Sequence, residues 1–197
     1  MRSPRTSTSS RREAVVFLGL VVAGALTGVV TGWLWELVWT PPTGAAWEGE
    51  WYLDRDGLLQ DASATGWYTV VGLVAGIALG AVAARWVRGA PLVVLAGVVL
   101  GSLVHAWVMY QVGHLLGPDD PHAIARTAGD WEPIISDLRL AGVERQWWPF
   151  ASTATLAPAV GALISLIGIF LGGPGRRHRR ATPDLHSPDG ARAGSGA

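Results

Sequence analysis

Residues 91–116 read PLVVLAGVVLGSLVHAWVMYQVGHLL, and this run contains no Asp, Glu, Lys or Arg. A helix needs about 20 predominantly apolar residues to cross the hydrocarbon core of a bilayer, and this run is longer than that. In lipid, a helix also satisfies its own backbone hydrogen bonds. The stretch therefore predicts a membrane-spanning helix, and the rest of the chain is best interpreted outward from it.

Three other stretches have the same apolar character. Together with 91–116, we predict spans over residues 14–39, 67–87 and 152–172. The composition agrees, because only 15% of the residues are charged and the mean hydropathy is +0.32, whereas about a quarter of the residues of a soluble domain are charged. The predicted fold is an all-α membrane protein, a four-transmembrane-helix bundle over residues 14–173.

Charge is distributed unequally between the two sides of this bundle. The tail 1–13, the short connector between the second and third spans and the tail 174–197 hold eleven arginines and three carboxylates. The loops 40–66 and 117–151 hold four arginines and eleven carboxylates. By the positive-inside rule, we expect a multi-pass protein of the plasma membrane, with both termini cytoplasmic and both long loops extracytoplasmic.

The two ends of the chain carry further signals. The first span follows a basic segment, as the apolar region of a signal peptide does. Its apolar run continues to Trp39, which is long for a signal peptide and favours an uncleaved anchor. The tail 174–197 is rich in Gly, Pro and Arg and predicts disorder. Its basic cluster is expected to contact anionic lipid headgroups. The cluster consists of Arg176, Arg177, Arg179 and Arg180.

Glycine recurs at four-residue spacing in the spans. This spacing places small residues on one helix face and lets two backbones approach closely. It fits either a specific dimer or packing within one bundle, and its presence in every span favours the bundle. The glycines predicted to pack are Gly24, Gly28, Gly32, Gly72, Gly76, Gly80, Gly97 and Gly101.

Few polar side chains fall within the spans, and each is a candidate functional residue. His105 lies near the middle of the third span. It either relays protons or binds a ligand, or it is a neutral imidazole bonded to a neighbouring helix. Glu36, Gln111 and His114 lie near the outer ends of the spans. They form either an outer polar cluster or ordinary interfacial positions.

The long loops contain turn and helix signals. Asp120 can cap a short helix that Pro121 begins and Gly129 ends. One β-hairpin is predicted with its turn at Asp54–Gly57, between 47–53 and 58–59. A second is predicted with its turn at Ala141-Gly142, between 134–140 and 143–148.

We expect both loops to fold together over the outer face of the bundle. Their acidic character has two interpretations. It serves solubility and membrane topology, or it attracts cations or basic partners.

Several short motifs occur at the ends of the spans. These are WELVWTPP at residues 35–42, Gly66-Trp67-Tyr68, Arg88-Gly89-Ala90-Pro91 and Trp148-Pro149. With them the chain, over about residues 13–173, resembles a family of small four-span integral membrane proteins of unknown function found in actinobacteria, including mycobacteria. The third motif is similar to that family's R-x-G-P turn. The resemblance implies the four-span fold and carries over no catalytic residue.

Catalytic signals are missing from the sequence. It has no HExxH, no GxSxG and no phosphate-binding GxxxxGK[ST]. It has no cysteine, which excludes disulfides and thiolate metal sites, and its zero net charge gives no global attraction for nucleic acid. We therefore expect no enzymatic activity, no cofactor, no metal and no nucleic-acid partner.

Two functions are compatible with these features. The first is a non-enzymatic accessory or scaffold component of the cell envelope, whose partners are the lipid bilayer and another membrane protein or a second copy. The alternative is a small transporter or channel subunit that uses His105 and the Glu36, Gln111 and His114 cluster.

Overall fold

A computed structural model of the protein describes residues 7–53, 55–85, 90–143 and 148–172. Two short 3₁₀ helices, Pro149–Ala151 and Thr153–Leu156, precede the last helix. The helices and strands of this part of the chain are, in order, α1 (Ser7–Val38), β1 (Thr43–Trp47), β2 (Glu50–Leu53), α2 (Arg55–Ala84), α3 (Pro91–Leu116), α4 (Pro121–Ala125), β3 (Pro133–Ile135) and α5 (Ala157–Gly172).

Within the described residues, four helices are long and apolar enough to cross a membrane, which confirms the prediction of four long apolar helices. Their bounds differ from the prediction. Helix α1 begins at Ser7 rather than 14, and α2 begins at Arg55 rather than 67. The stretch 58–62, LLQDA, contains good helix formers, so α2 continues beyond its apolar part. The apolar run therefore predicted only the part of each helix that is long enough to cross the hydrocarbon core.

The long helices pack as two close pairs, α1 with α3 and α2 with α5. On α1, a Cβ at Gly28 would lie 2.7 Å from the carbonyl oxygen of His105. On α2, a Cβ at Gly76 would lie 2.9 Å from the Cα of Pro158. The other predicted glycines lie at the same contacts: Gly24 and Gly32 against α3, Gly97 and Gly101 against α1, and Gly72 and Gly80 against α5.

Two apolar cores follow one another along the bundle. The first joins all four long helices through Leu20, Ala83, Val94, Val98, Ala162 and Leu166. The second joins α1, α2 and α3 to the connection between β3 and α5, and it includes Trp35, Trp39, Tyr68, Met109, Tyr110, Leu138 and Leu140. The segment between β3 and α5 therefore packs against the bundle.

The two long loops meet in one small folded unit, which we call the cap (residues 40–53 and 117–143). Its antiparallel sheet has the order β2-β1-β3, with Gly44 opposite Leu53 on one side and Ile134 on the other. Ala46, Ala125 and Ile134 form its core. Because β1 comes from the first loop and β3 from the second, the prediction that the loops fold together is confirmed.

The predicted hairpin around Asp54–Gly57 is wrong. The turn lies at Glu48-Gly49, where φ is 52° and 81°, and Trp47 pairs with Glu50. Positive φ at both residues identifies a two-residue hairpin turn of type I′. Strand β1, TGAAW, has Gly and two Ala at its centre, which have low strand propensity, and it was not recognised as a strand. Residues 55–57 belong to α2 instead.

The predicted hairpin around Ala141-Gly142 is also wrong within the described residues. Only Pro133–Ile135 is a strand, and it pairs with β1. Leu138, Leu140 and Val143 are buried in the second core. Because burial of these apolar side chains is favourable, the segment follows an irregular path instead of forming a local hairpin. Residues 144–147 lie outside the described part of the chain.

The predicted short helix is confirmed as α4. The Asp120 side chain accepts a hydrogen bond from the His122 N–H at 3.1 Å, and Pro121 is the first helical residue. The helix ends at Ala125 and does not reach Gly129.

Candidate functional site

His105 is completely buried on the face of α3 that packs against α1. Its Nε2 lies 3.2 Å from the hydroxyl oxygen of Thr31 on α1. The same hydroxyl lies 2.9 Å from the Thr27 carbonyl oxygen and 3.3 Å from the Gly28 carbonyl oxygen of its own helix. Which partner donates in the Thr31–His105 bond depends on the tautomer of the imidazole. His105 connects α1 to α3.

Three buried polar side-chain atoms on α3 have no hydrogen-bond partner among the described residues. One is the Tyr110 hydroxyl. The other two are Nδ1 of His105 and Oγ of Ser102, which precedes His105 by three positions. A buried polar group without a partner costs about 1–3 kcal/mol. Ser102 and His105 lie on the same side of the helix. These two residues form a short polar stretch with unused hydrogen-bonding capacity near the middle of α3.

Two aromatic side chains connect the helices toward the cap. The Trp35 indole N–H donates to the Ala64 carbonyl of α2 at 2.8 Å. The Tyr68 hydroxyl donates to the Ala106 carbonyl of α3 at 2.7 Å. The Trp35 and Tyr68 rings meet edge to face with centroids 5.0 Å apart. These bonds tie α1, α2 and α3 together.

The Glu36, Gln111 and His114 cluster is not assembled around an ion pair. His114 has Nδ1 3.2 Å from the Leu138 carbonyl oxygen, and its ring is parallel to Tyr110 at 5.9 Å. No salt bridge joins Glu36 to His114, both of which are described. Glu36 and Gln111 are half-buried. His114 therefore connects α3 to the cap, a contact the sequence did not predict.

Within the cap, an arginine and two carboxylates connect the segment after β3 to α4. The Arg139 guanidinium contacts Asp137, which is buried, and lies 3.4 Å from Asp120. Asp120 is also the N-cap of α4. The segment after β3 is thereby attached to α4. The predicted lipid-contacting arginines, Arg176, Arg177, Arg179 and Arg180, lie outside the described residues.

The cap carries an exposed aromatic pair that sequence analysis did not find. The Trp47 and Trp131 rings have centroids 4.6 Å apart and are tilted by 50°. Trp131 has a φ of 68°, which costs a residue with a Cβ about 1–2 kcal/mol. The Trp131 N–H donates to the Ala46 carbonyl at 2.8 Å, which holds this conformation. The two tryptophans are too far apart in sequence for any local pattern to pair them.

Among the described residues, no group of three or more His, Asp or Glu side chains is placed to hold a metal ion.

Comparison with known proteins yields no match: no family model, no curated protein and no solved structure matches this chain.

Proposed function

We propose that this protein is a non-enzymatic scaffold or accessory component of the cell envelope, an integral protein of the plasma membrane. Its bundle would anchor the cap, and the cap would be the part that a partner contacts. In this proposal both termini are cytoplasmic, as the arginine distribution suggests, and the cap is extracytoplasmic. The family resemblance belongs to the same proposal and adds no activity to it.

This proposal is supported by polar side chains of the bundle that form hydrogen bonds from one helix to another. Thr31 with His105, Trp35 with Ala64 and Tyr68 with Ala106 are each a hydrogen bond between two helices. Transport would need a polar path with alternative arrangements. Interhelical bonds together with backbone contact at the glycines favour one fixed arrangement, and a fixed arrangement suits an anchor.

The proposal is tested by crosslinking the tagged full-length chain in its native membrane and identifying what is recovered by mass spectrometry. We expect one stoichiometric membrane or envelope partner. The background control is a second isolation in which urea is added before crosslinking to disrupt the contacts of the cap. Recovery of a monomer alone would contradict the scaffold proposal.

The proposed orientation has a separate test, because the chain has no cysteine of its own. Ala123, exposed on α4, is replaced by Cys, and Ser195 in the tail is replaced by Cys in a second variant. A membrane-impermeant maleimide should label Ala123→Cys in intact cells and Ser195→Cys only after permeabilisation. The reverse labelling pattern would overturn the orientation.

A second candidate function is transport, and one observation favours it. Nδ1 of His105 and Oγ of Ser102 are buried with unused hydrogen-bonding capacity near the middle of α3. A transported proton or small polar solute would find an acceptor and a donor there. Replacing His105 by Phe should abolish flux in proteoliposomes if this candidate holds. Equal flux of every tested solute in both proteins would exclude His105 as a transport residue.

A further inference from the structure

One end of the cap, which we call the tip, consists of Trp47, Glu48, Asp130, Trp131 and Glu132. Trp131 is 71% exposed and Trp47 is 38% exposed. Both lie outside the four candidate membrane spans. The acyl region of the bilayer therefore does not account for their exposure. Each is next to a carboxylate in sequence, and Trp131 lies between two.

Two of the three carboxylates of the tip accept backbone hydrogen bonds within the cap, but no salt bridge between described residues neutralises them. Asp130 accepts from the Glu48 N–H at 3.0 Å, and Glu132 accepts from the Gly129 N–H at 3.0 Å. The salt bridges between described residues involve His122 with Glu50, and Arg139 with Asp120 and Asp137. None of them includes Glu48, Asp130 or Glu132. The tip thus combines two exposed indole rings with carboxylates that have no cationic partner in the described chain.

The net charge of the whole cap is negative, like that of the tip. Its described residues include seven carboxylates against two arginines, and Arg139 is already engaged with two of the carboxylates. A ligand complementary to this surface carries positive charge and a flat face that can lie against an indole. The guanidinium group has both properties, because it stacks on aromatic rings and bonds carboxylates in a bidentate manner.

We propose that the tip binds an arginine-bearing extracytoplasmic segment of a protein partner. The guanidinium would lie against the exposed face of the Trp47 and Trp131 pair, with Asp130 or Glu132 accepting its N–H groups. This inference rests on the scaffold function proposed above and names the chemistry of the partner. Lysine would fit less well, because a compact ammonium lacks the planar stacking face.

Two variants test the tip without disturbing the fold of the cap. Trp131→Gly removes the ring and also removes the penalty of the positive φ, because glycine adopts that conformation freely. The double variant Asp130→Asn with Glu132→Gln removes two charges but keeps a carbonyl oxygen to accept each backbone N–H. Trp33→Ala, an exposed tryptophan on α1, is the matched control.

The binding assay uses the full-length protein in nanodiscs and a peptide that alternates arginine and glycine, with a peptide that alternates glutamate and glycine as the negative probe. We expect measurable binding of the arginine peptide that weakens with salt. Trp131→Gly and the double amide variant should each weaken it about tenfold. Trp33→Ala should leave it unchanged. Equal binding by all variants, or no binding, overturns the proposal.

Two further results would also overturn it. Preferential binding of tetramethylammonium or phosphocholine over the arginine peptide would identify a lipid headgroup as the occupant. Self-association that Trp131→Gly abolishes would identify a second copy of this chain. The native-membrane crosslink keeps the two proposals separable. If a stoichiometric partner is recovered equally with Trp131→Gly, the scaffold function stands and the tip inference fails; if the peptide binds but no partner is recovered, the scaffold function fails.

Discussion

Replacing Gly76 by Ala should push α2 away from α5. A Cβ at this position would meet the backbone of Pro158 at its carbonyl oxygen, its carbonyl carbon (2.8 Å) and its Cα (2.9 Å). These atoms belong to a helix backbone and cannot rotate aside as a side chain can. The two helices must therefore separate locally, which also weakens the neighbouring contacts of Gly72 and Gly80 with α5.

The magnitude follows from the contacts that are lost. Forcing an extra carbon into a well-packed contact costs about 1–3 kcal/mol, and a radial gap of about 0.5–1 Å already loses a quarter to a half of each dispersion contact. The higher helix propensity of alanine returns up to about 1 kcal/mol. We expect a net loss of about 1–2 kcal/mol, or a decrease in Tm of roughly 2–8 °C for a chain of this size.

The assay is thermal unfolding of the purified protein in detergent micelles, followed by circular dichroism. Gly66→Ala is the matched control, because Gly66 is also on α2 and a Cβ there would have no heavy atom within 4 Å. This control should match or exceed the wild-type Tm. If Gly76→Ala is as stable as Gly66→Ala, then α2 and α5 are not in backbone contact and the packing described above is incorrect.

Two further predictions concern single hydrogen bonds and turns. Thr31→Val removes the hydroxyl that bonds Nε2 of His105 and should lower the free energy of unfolding by about 1 kcal/mol; Thr27→Val, which removes a bond within α1 alone, is the comparison, and equal losses in thermal unfolding would count against an interhelical role for Thr31. Glu48→Asn creates an Asn-Gly type I′ turn at a residue with φ of 52° and should raise stability by up to about 1 kcal/mol; slower amide exchange of β1 and β2 would support this, and faster exchange would argue against the assigned turn.

The four helices could be predicted because lipid imposes a requirement on each helix separately. The run from Pro91 to Leu116 is apolar along its whole length, and no partner is needed to recognise it as a span. The same local logic located α4, since Asp120 and Pro121 are an N-cap and a first helical residue wherever the helix lies. The apolar criterion did not find the start of α2, because residues 55–61 are helical without being apolar.

The candidate site was accessible only in part. His105 was found because a histidine at membrane depth is unusual in any fold. Its contact with Thr31 was not found, because the rotation of α1 against α3 depends on how the glycine faces pack. An outer cluster of His114 with Glu36 and Gln111 was one of two open interpretations. His114 bonds the Leu138 carbonyl, and Leu138 reaches that position through a path that has no regular secondary structure.

The sequence by itself determined the number of long apolar helices and the composition of their packing faces, because hydrocarbon length and glycine spacing act within one helix at a time. The tertiary structure decided which helices pair, how Thr31 and His105 meet, and that β1 and β3 from separate loops form one sheet. It also brought Trp47 and Trp131 together at 4.6 Å. The physical reason is that these contacts join residues distant in the chain, and their energy depends on burial and complementary shape rather than on local sequence.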